Sequence, residues 1–520
     1  MPSTDLNEPF GIPDGAIGSI QQFEADFVSM PSYYGGISRA LDDSSVRVVT
    51  GRLGAGKSLY LRLMRDNQLR NSSVYAERPS RNLADLSTRD VVSFARFSGV
   101  QGANSEAWKL LWRRAIFRSA ASFIIAEPLM RSSVPSHLVA EVKSYANLLG
   151  DPNRKRRATT EASNIIKDHP GRTELRVYLN DEGWSDAESA ILDAIAESRP
   201  LFLYIDAIDD NFRWAPTHWI RCQRGLYYAI MDLLREGEGG NRLHVVIALR
   251  DIVLGSTRAS EHGPRYLERT HINILDWTGQ SVTEFLRHKV ERLPDEFFSD
   301  PSVKSVSSWL SVDSITNGRP NPGRERIESY LVRHTRMVPR DIVVMGNRLC
   351  RYVLSQRSRG ESISEVDLRR EVARASREFA SSQLAQCANQ VMSDSMPDSA
   401  LEQDYSHVYL EPNEYQMNEA VSTICRCIRT VGVEEFGAEG ISTLDDMASD
   451  GFGTKVYLAH ILWQNGLIGW AQHESAHYYS LEDLAASAVP QAERYVFNPI
   501  VFDRIDGMRT TLAYPLPVAK

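Results

Sequence analysis

Gly51-Arg52-Leu53-Gly54-Ala55-Gly56-Lys57-Ser58 satisfies every defined position of the phosphate-binding pattern G-x-x-x-x-G-K-[ST]. The stretch before it, Val46-Arg47-Val48-Val49-Thr50, is rich in β-branched residues and predicts a buried parallel strand. The stretch after it, Leu59-Tyr60-Leu61-Arg62-Leu63-Met64, predicts a helix, so the loop lies between strand and helix as phosphate binding requires. Glycines allow backbone N–H groups to crowd around phosphate oxygens, and the helix N-terminus adds positive potential. Gly51, Leu53, Gly54, Ala55, Gly56, Lys57, Ser58 and Leu59 are therefore the candidate residues for a nucleoside triphosphate. Lys57 would reach the β- and γ-phosphates, and the Ser58 hydroxyl would be a Mg²⁺ ligand.

A second anchor lies about 150 residues downstream, in Leu201-Phe202-Leu203-Tyr204-Ile205-Asp206. An apolar strand ending in an acid puts a carboxylate at the edge of a parallel sheet, next to the metal. Asp206 is thus the second candidate Mg²⁺ ligand, and Asp209 or Asp210 is the candidate for orienting or deprotonating the attacking water. Residues 243–249 predict another buried strand, with Arg250 at its tip as the candidate γ-phosphate sensor. Residues 255–269 read as a loop holding Arg258, Arg265 and Arg269, a candidate arginine finger or a solvated surface. Residues 272–275 close the sheet.

The remaining chain falls into segments around this core. Residues 1–42 form an N-terminal arm with a helical stretch near 20–27, and Phe23, Phe27, Tyr33 and Tyr34 offer aromatic surface to a base or to the core. The core spans 43–277. Within it, residues 91–97 predict the second strand, 105–125 a long helix, and 128–198 a helical insertion carrying the cluster Arg154-Lys155-Arg156-Arg157. A helical lid covers 278–392, and Arg340 follows Pro339 at a helix start, placed to reach across the cleft. Residues 393–413 are a linker. In 414–520, a helix at 414–431, two short helices at 442–447 and 455–464 around a turn at 448–453, and strands at 466–471, 477–480 and 495–497 follow the winged-helix plan.

The fold class expected is therefore α/β: a P-loop NTPase core with a parallel sheet flanked by helices, then an all-helical lid and a winged-helix domain. Charge bears on the partners. The chain carries a net charge of −8, and residues 401–520 alone hold 17 acidic against 7 basic side chains. Phosphate contact needs Lys and Arg on the binding face, so the acidic C-terminal unit disfavours nucleic acid and favours a protein partner or self-association. No apolar run reaches the roughly 20 residues of a membrane span and no signal peptide is present, which predicts a cytoplasmic protein. The five scattered cysteines predict buried thiols rather than a zinc site or disulfides.

The order of these parts resembles the AAA+/STAND branch of P-loop ATPases. The stretch from Leu201 to Asp210 is similar to the STAND strand ending h-h-h-h-D-x-x-D-[DE], Arg250 to its sensor arginine, and Met337-Val338-Pro339-Arg340 to both a STAND lid proline and a sensor-2 arginine. The resemblance implies ATP rather than GTP, Mg²⁺ as cofactor, hydrolysis to ADP and phosphate, and a switch of the kind found in bacterial defence or regulatory systems. Two alternatives stand beside it: a DNA-binding ATPase of the origin-recognition or transposition-regulator type, and, because Ala207 rather than Glu follows Asp206, a nucleotide binder without hydrolysis.

Overall fold

The structure is a computed structural model that describes residues 8–14, 45–71, 74–76, 86–97, 104–150, 153–206, 216–237, 242–258, 269–316, 324–394, 414–432, 435–472, 475–478 and 489–512. Its centre is a five-stranded sheet of β1 (Val48–Gly51), β2 (Tyr75–Ala76), β3 (Leu201–Ile205), β4 (Leu243–Arg250) and β5 (Ile272–Leu275). The strand order is β2-β3-β4-β1-β5, with every pair parallel. Gly51 lies in register with both Arg250 and Leu275, so the carboxyl ends of the strands share one edge. Both faces are covered. Along β4, Leu243, Val245, Ile247 and Leu249 point into one apolar cluster, whereas Val246 and Ala248 point into the other, the period-two alternation of a strand buried on both sides.

The helices of the first half are α1 (Lys57–Asn71), α2 (Thr88–Phe97), α3 (Asn104–Ala126), α4 (Pro128–Ser133), α5 (Ser136–Ser144), α6 (Ala146–Leu149), α7 (Ala158–Asp168), α8 (Arg172–Leu179), α9 (Gly183–Ala196), α10 (Pro216–Arg235) and α11 (Asp251–Arg258). Helices α4 to α9 lie in the chain between α3 and β3. They pack with α3 and α10 on the face that receives Leu203 and Val245. Helices α3 and α10 touch closely at Gly225, where the indole of Trp112 donates to the carbonyl of Cys222 at 2.9 Å. All five cysteines are buried thiols, and burial pushes those of Cys222, Cys350 and Cys387 upward, away from reactive thiolate.

Two expectations are corrected here. Residues 91–97 are not a strand but the body of α2. The Ser87 hydroxyl accepts from the Asp90 N–H and the Asp90 carboxylate accepts from the Ser87 N–H, a reciprocal cap that starts a helix and overrides the strand propensity of Val91 and Val92. The second strand is instead β2, a two-residue edge paired with Leu201 and Phe202. Residues 255–258 continue helix α11, while 259–268 lie outside the described residues.

The helical layer after the sheet comprises α12 (Gly279–Glu291), α13 (Val306–Leu310), the hairpin β6 (Ser314–Thr316) and β7 (Arg324–Arg326), α14 (Ile327–Arg333), α15 (Pro339–Ser358) and α16 (Glu365–Asp394). The final unit contains α17 (Glu414–Val431), β8 (Glu435–Phe436), α18 (Ala438–Phe452), α19 (Leu458–Gln464), β9 (Ile468–Gln472), β10 (Ser475–Tyr478), β11 (Tyr495–Phe497) and α20 (Pro499–Leu512). Its four strands form an antiparallel sheet in the order β10-β9-β11-β8. The turn expected at 448–453 is a correction too: α18 runs unbroken to Phe452, and Gly453, at φ 68°, ends it. Gly451 serves packing, since a Cβ there would stand 2.7 Å from Thr423 of α17.

Helix α16 is shared between the helical layer and the final unit. One stripe, Leu384, Cys387, Ala388 and Val391, is apolar and buried. Another is polar: Gln383 donates to the Asn465 side chain at 2.7 Å, Gln390 donates to Gln464 at 3.2 Å, and Asn465 donates to Gln390 at 3.3 Å. These amide pairs form the seam between α16 and α19. Within α19 the half-buried His460 has no hydrogen-bond partner for Nδ1 among the described residues, and burial holds its imidazole below the ordinary histidine range. The stability this neutral ring contributes is complete above the unfolded value of about 6.5 and is lost as pH falls through the lower folded value. Unfolding midpoints between pH 7 and 5 should therefore fall less steeply for His460→Gln than for the wild type; parallel curves would remove His460 from the acid response.

Candidate functional site

The loop between β1 and α1 rises from the carboxyl edge of the sheet. Gly54 and Gly56 adopt φ of +91° and +98°, left-handed values that side chains resist. Gly54 is also crowded, because a Cβ there would stand 3.0 Å from Cβ of Arg340 and 3.2 Å from Val338. At Gly51 a Cβ would stand 3.0 Å from the carbonyl of Leu275. Glycine at Gly51 and Gly54 thus lets the loop lie flat between β5 and the start of α15. The loop is braced at Ala55, whose N–H donates to Arg52 at 3.1 Å and whose carbonyl accepts from the Trp277 indole at 3.0 Å. Trp277 was not a candidate in the sequence; its signal was only a lone aromatic shortly after an apolar strand.

Lys57 is buried at the start of α1, and its ammonium donates to the carbonyls of Gly51 at 3.1 Å and Arg52 at 3.2 Å. Beside it the Ser58 hydroxyl donates to Oδ1 of Asp206 at 3.2 Å, across 148 residues of sequence. Asp206 is itself buried, just past the end of β3. Leu59 and Ala55 face the core, while Leu53 is half-buried on the loop. Two strand tips thus bring together one ammonium, one hydroxyl and one carboxylate at the N-terminus of a fifteen-residue helix. A hydroxyl beside a carboxylate is a hard oxygen pair of the kind Mg²⁺ takes, and an ammonium at a helix N-terminus suits phosphate.

Arg250 is buried at the tip of β4, level with Gly51. Arg340 approaches from the helical layer: its N–H donates to the carbonyl of Gly54 at 3.3 Å, and its Nε to the carbonyl of Pro13 at 3.4 Å. The peptide around Pro13 is fixed by Phe10, whose ring fills the notch left by Gly346 and lies 5.2 Å from Trp309. Asn347 clamps the same peptide, accepting from the Phe10 N–H at 2.8 Å and donating to the Gly11 carbonyl at 2.9 Å. This short segment of the arm expected at 1–42, in which Phe10 and Pro13 were not singled out, therefore borders the loop. Asp209, Asp210, Arg265 and the four aromatic residues of the arm lie outside the described residues, as do the side chains of Arg258 and Arg269.

Among the described residues, no helix is long and apolar enough to cross a membrane. The parallel sheet flanked by helices is compatible with a P-loop NTPase-like α/β core. Compared with models of protein families, with curated proteins and with solved structures, the chain yields no match.

Proposed function

We propose that the chain binds ATP with Mg²⁺ at the loop Gly51–Ser58 and hydrolyses it, using nucleotide state to set how the helical lid and the C-terminal unit attach to the core. The observation that carries this reading is the Ser58–Asp206 hydrogen bond at the start of a helix that also holds Lys57. In the AAA+/STAND-like mechanism proposed, Lys57 and backbone N–H groups bind phosphates, Ser58 and Asp206 hold the metal, and Asp209 or Asp210 orients water. Arg250 and Arg340 report the γ-phosphate, one from the sheet and one from the lid. We read the C-terminal unit as a winged helix that contacts protein rather than DNA. Its second helix, α19, has no Lys or Arg, and its end is tied to Gln383 and Gln390 of α16. The basic cluster of the insertion is also engaged, with Lys155 paired to Glu127 and Arg156 to Glu161. These engagements weigh against a phosphate track.

Titration of the protein with ATP in Mg²⁺ and in EDTA tests the site. Mg²⁺ should tighten binding, and Asp206→Asn should remove about tenfold of that gain, the size of one charge-assisted interaction. Equal affinity with and without metal, in wild type and variant alike, would dismiss Ser58 and Asp206 as a metal pair. Asp209→Asn is expected to keep ATP affinity while slowing phosphate release; unchanged turnover would reassign the water-orienting role.

A further inference from the structure

We propose that Arg52 is a positioning residue that couples occupancy of the loop Gly51–Ser58 to the attachment of the C-terminal unit, through the turn at Asn465 and Gly466. The inference rests on the nucleotide reading of that loop and adds how the loop is read elsewhere. Arg52 is unlike its neighbours because its two ends do different work. Its carbonyl accepts from Ala55 N–H at 3.1 Å and from the Lys57 ammonium at 3.2 Å, so it belongs to the loop. Its guanidinium leaves the loop: Nε lies 4.0 Å from Asp251 at the head of α11, and the group rests on Gly466, where a Cβ would stand 3.5 Å from Nη1.

Gly466 is the hub of the C-terminal attachment. It sits at φ +68°, its N–H donates to the Trp463 carbonyl at 2.9 Å, and the Leu467 N–H donates to Leu462 at 2.9 Å, which closes the end of α19. Next to it, Asn465 receives the Gln383 amide. Asn498 donates to the carbonyls of both Gly466 and Thr335, at 3.4 and 3.5 Å. Thr335 in turn accepts from the N–H of Met337, a residue held at φ 57°, three positions before Arg340 meets Gly54. The turn therefore meets the loop at two points, beside the Arg52 guanidinium and through the lid at Gly54.

The physical chemistry gives the direction. In the empty loop the Lys57 ammonium is satisfied by the Gly51 and Arg52 carbonyls. Phosphate oxygens are stronger acceptors for an ammonium than neutral carbonyls. Lys57 thus exchanges partners when phosphate enters, and the Arg52 peptide loses one of its two restraints. Because the guanidinium is held by Asp251 and packed on Gly466, a change in the Arg52 backbone is delivered to the turn rather than dissipated in water.

Hydrogen exchange on the full chain tests this. The amides of 462–468 are followed in wild type and in Arg52→Ala, without nucleotide and with Mg²⁺ and a non-hydrolysable ATP analogue, and affinity for the analogue is measured alongside. In wild type the analogue should change exchange of the turn by about fivefold or more, the low end of coupling between linked sites. In Arg52→Ala, which keeps the backbone carbonyl that Lys57 meets, analogue at concentrations that saturate the variant should leave the turn unchanged. Arg52→Gln, which keeps the stem, replaces the alanine variant if that does not purify folded. Wild type that binds the analogue with no change in the turn, or a variant turn that responds as wild type does, overturns the role of Arg52 alone. Wild type that takes up no nucleotide overturns the reading of the site itself.

Discussion

Lys57→Ala is expected to weaken Mg–ATP binding by at least about a hundredfold, the factor carried by about 3 kcal/mol of charge-assisted hydrogen bonding. The ammonium is already placed at the base of the loop, held by two carbonyls, whereas the Arg52 guanidinium is turned toward Asp251. Alanine removes the charge without asking the loop to refold. The Arg52 carbonyl keeps the Ala55 N–H, Tyr60 N–H still donates to Gly56 at 2.9 Å, and Trp277 still braces Ala55. The thermal midpoint of the nucleotide-free variant should therefore stay close to wild type while calorimetric titration shows the loss of affinity. That pairing separates a missing ligand from a damaged fold. Affinity retained within about threefold would withdraw the phosphate-binding assignment, since a change that small is under 1 kcal/mol.

Gly225→Ala should destabilise the protein by about 1–3 kcal/mol, the cost of overpacking a well-filled interface. Helix propensity alone gives the opposite sign, favouring alanine over glycine by about 1 kcal/mol. Geometry decides between them. A Cβ at Gly225 would stand 2.3 Å from Cβ of Trp108, 2.8 Å from its carbonyl carbon and 3.0 Å from the Lys109 nitrogen, and two of those three atoms are backbone. No rotamer change relieves such a contact, so α3 and α10 must spread. Spreading strains the Trp112 bond to Cys222 and the 3.0 Å ion pair of Lys109 with Asp232. It also disturbs the tilted contact of Trp108 with Phe94, at 4.2 Å between ring centres. A denaturant midpoint equal to or above wild type would show that the helices absorb the methyl group.

Much of this architecture was legible in the sequence because its elements announce themselves by local chemistry. The strands ending at Gly51, Asp206 and Arg250 are apolar runs of the right length. Helix α17 and strand β11 fall on the boundaries the pattern predicts. Residues 91–97 misled because β-branched and aromatic residues suit a strand and a buried helix equally, and the deciding signal was the cap at Ser87 and Asp90 just outside the run. Strand β2 was invisible because two residues carry no periodicity, and its partner Leu201 lies far along the chain. At the site, Lys57, Ser58 and Asp206 were readable from a motif and a strand end. Trp277, Phe10 and the reach of Arg52 were not, since each acts through residues hundreds of positions away or on another unit. Patterns record what a residue needs locally; they are silent about which distant backbone it will touch.

The amide seam between α16 and α19 has a consequence for how the C-terminal unit is held in register. Amides trade partners with water at small net cost, about 1 kcal/mol per hydrogen bond, whereas an apolar seam would expose surface that invites other chains. Gln383, Gln390, Gln464 and Asn465 thus make a joint that is wettable on both halves. The apolar stripe beside it behaves differently: Leu384, Cys387, Ala388 and Val391 share one buried cluster with Leu458, Ile461 and Leu462 of α19, so parting the two would expose apolar surface and raise the heat capacity. The paired amides therefore set the register of this contact, and the apolar stripe holds it shut.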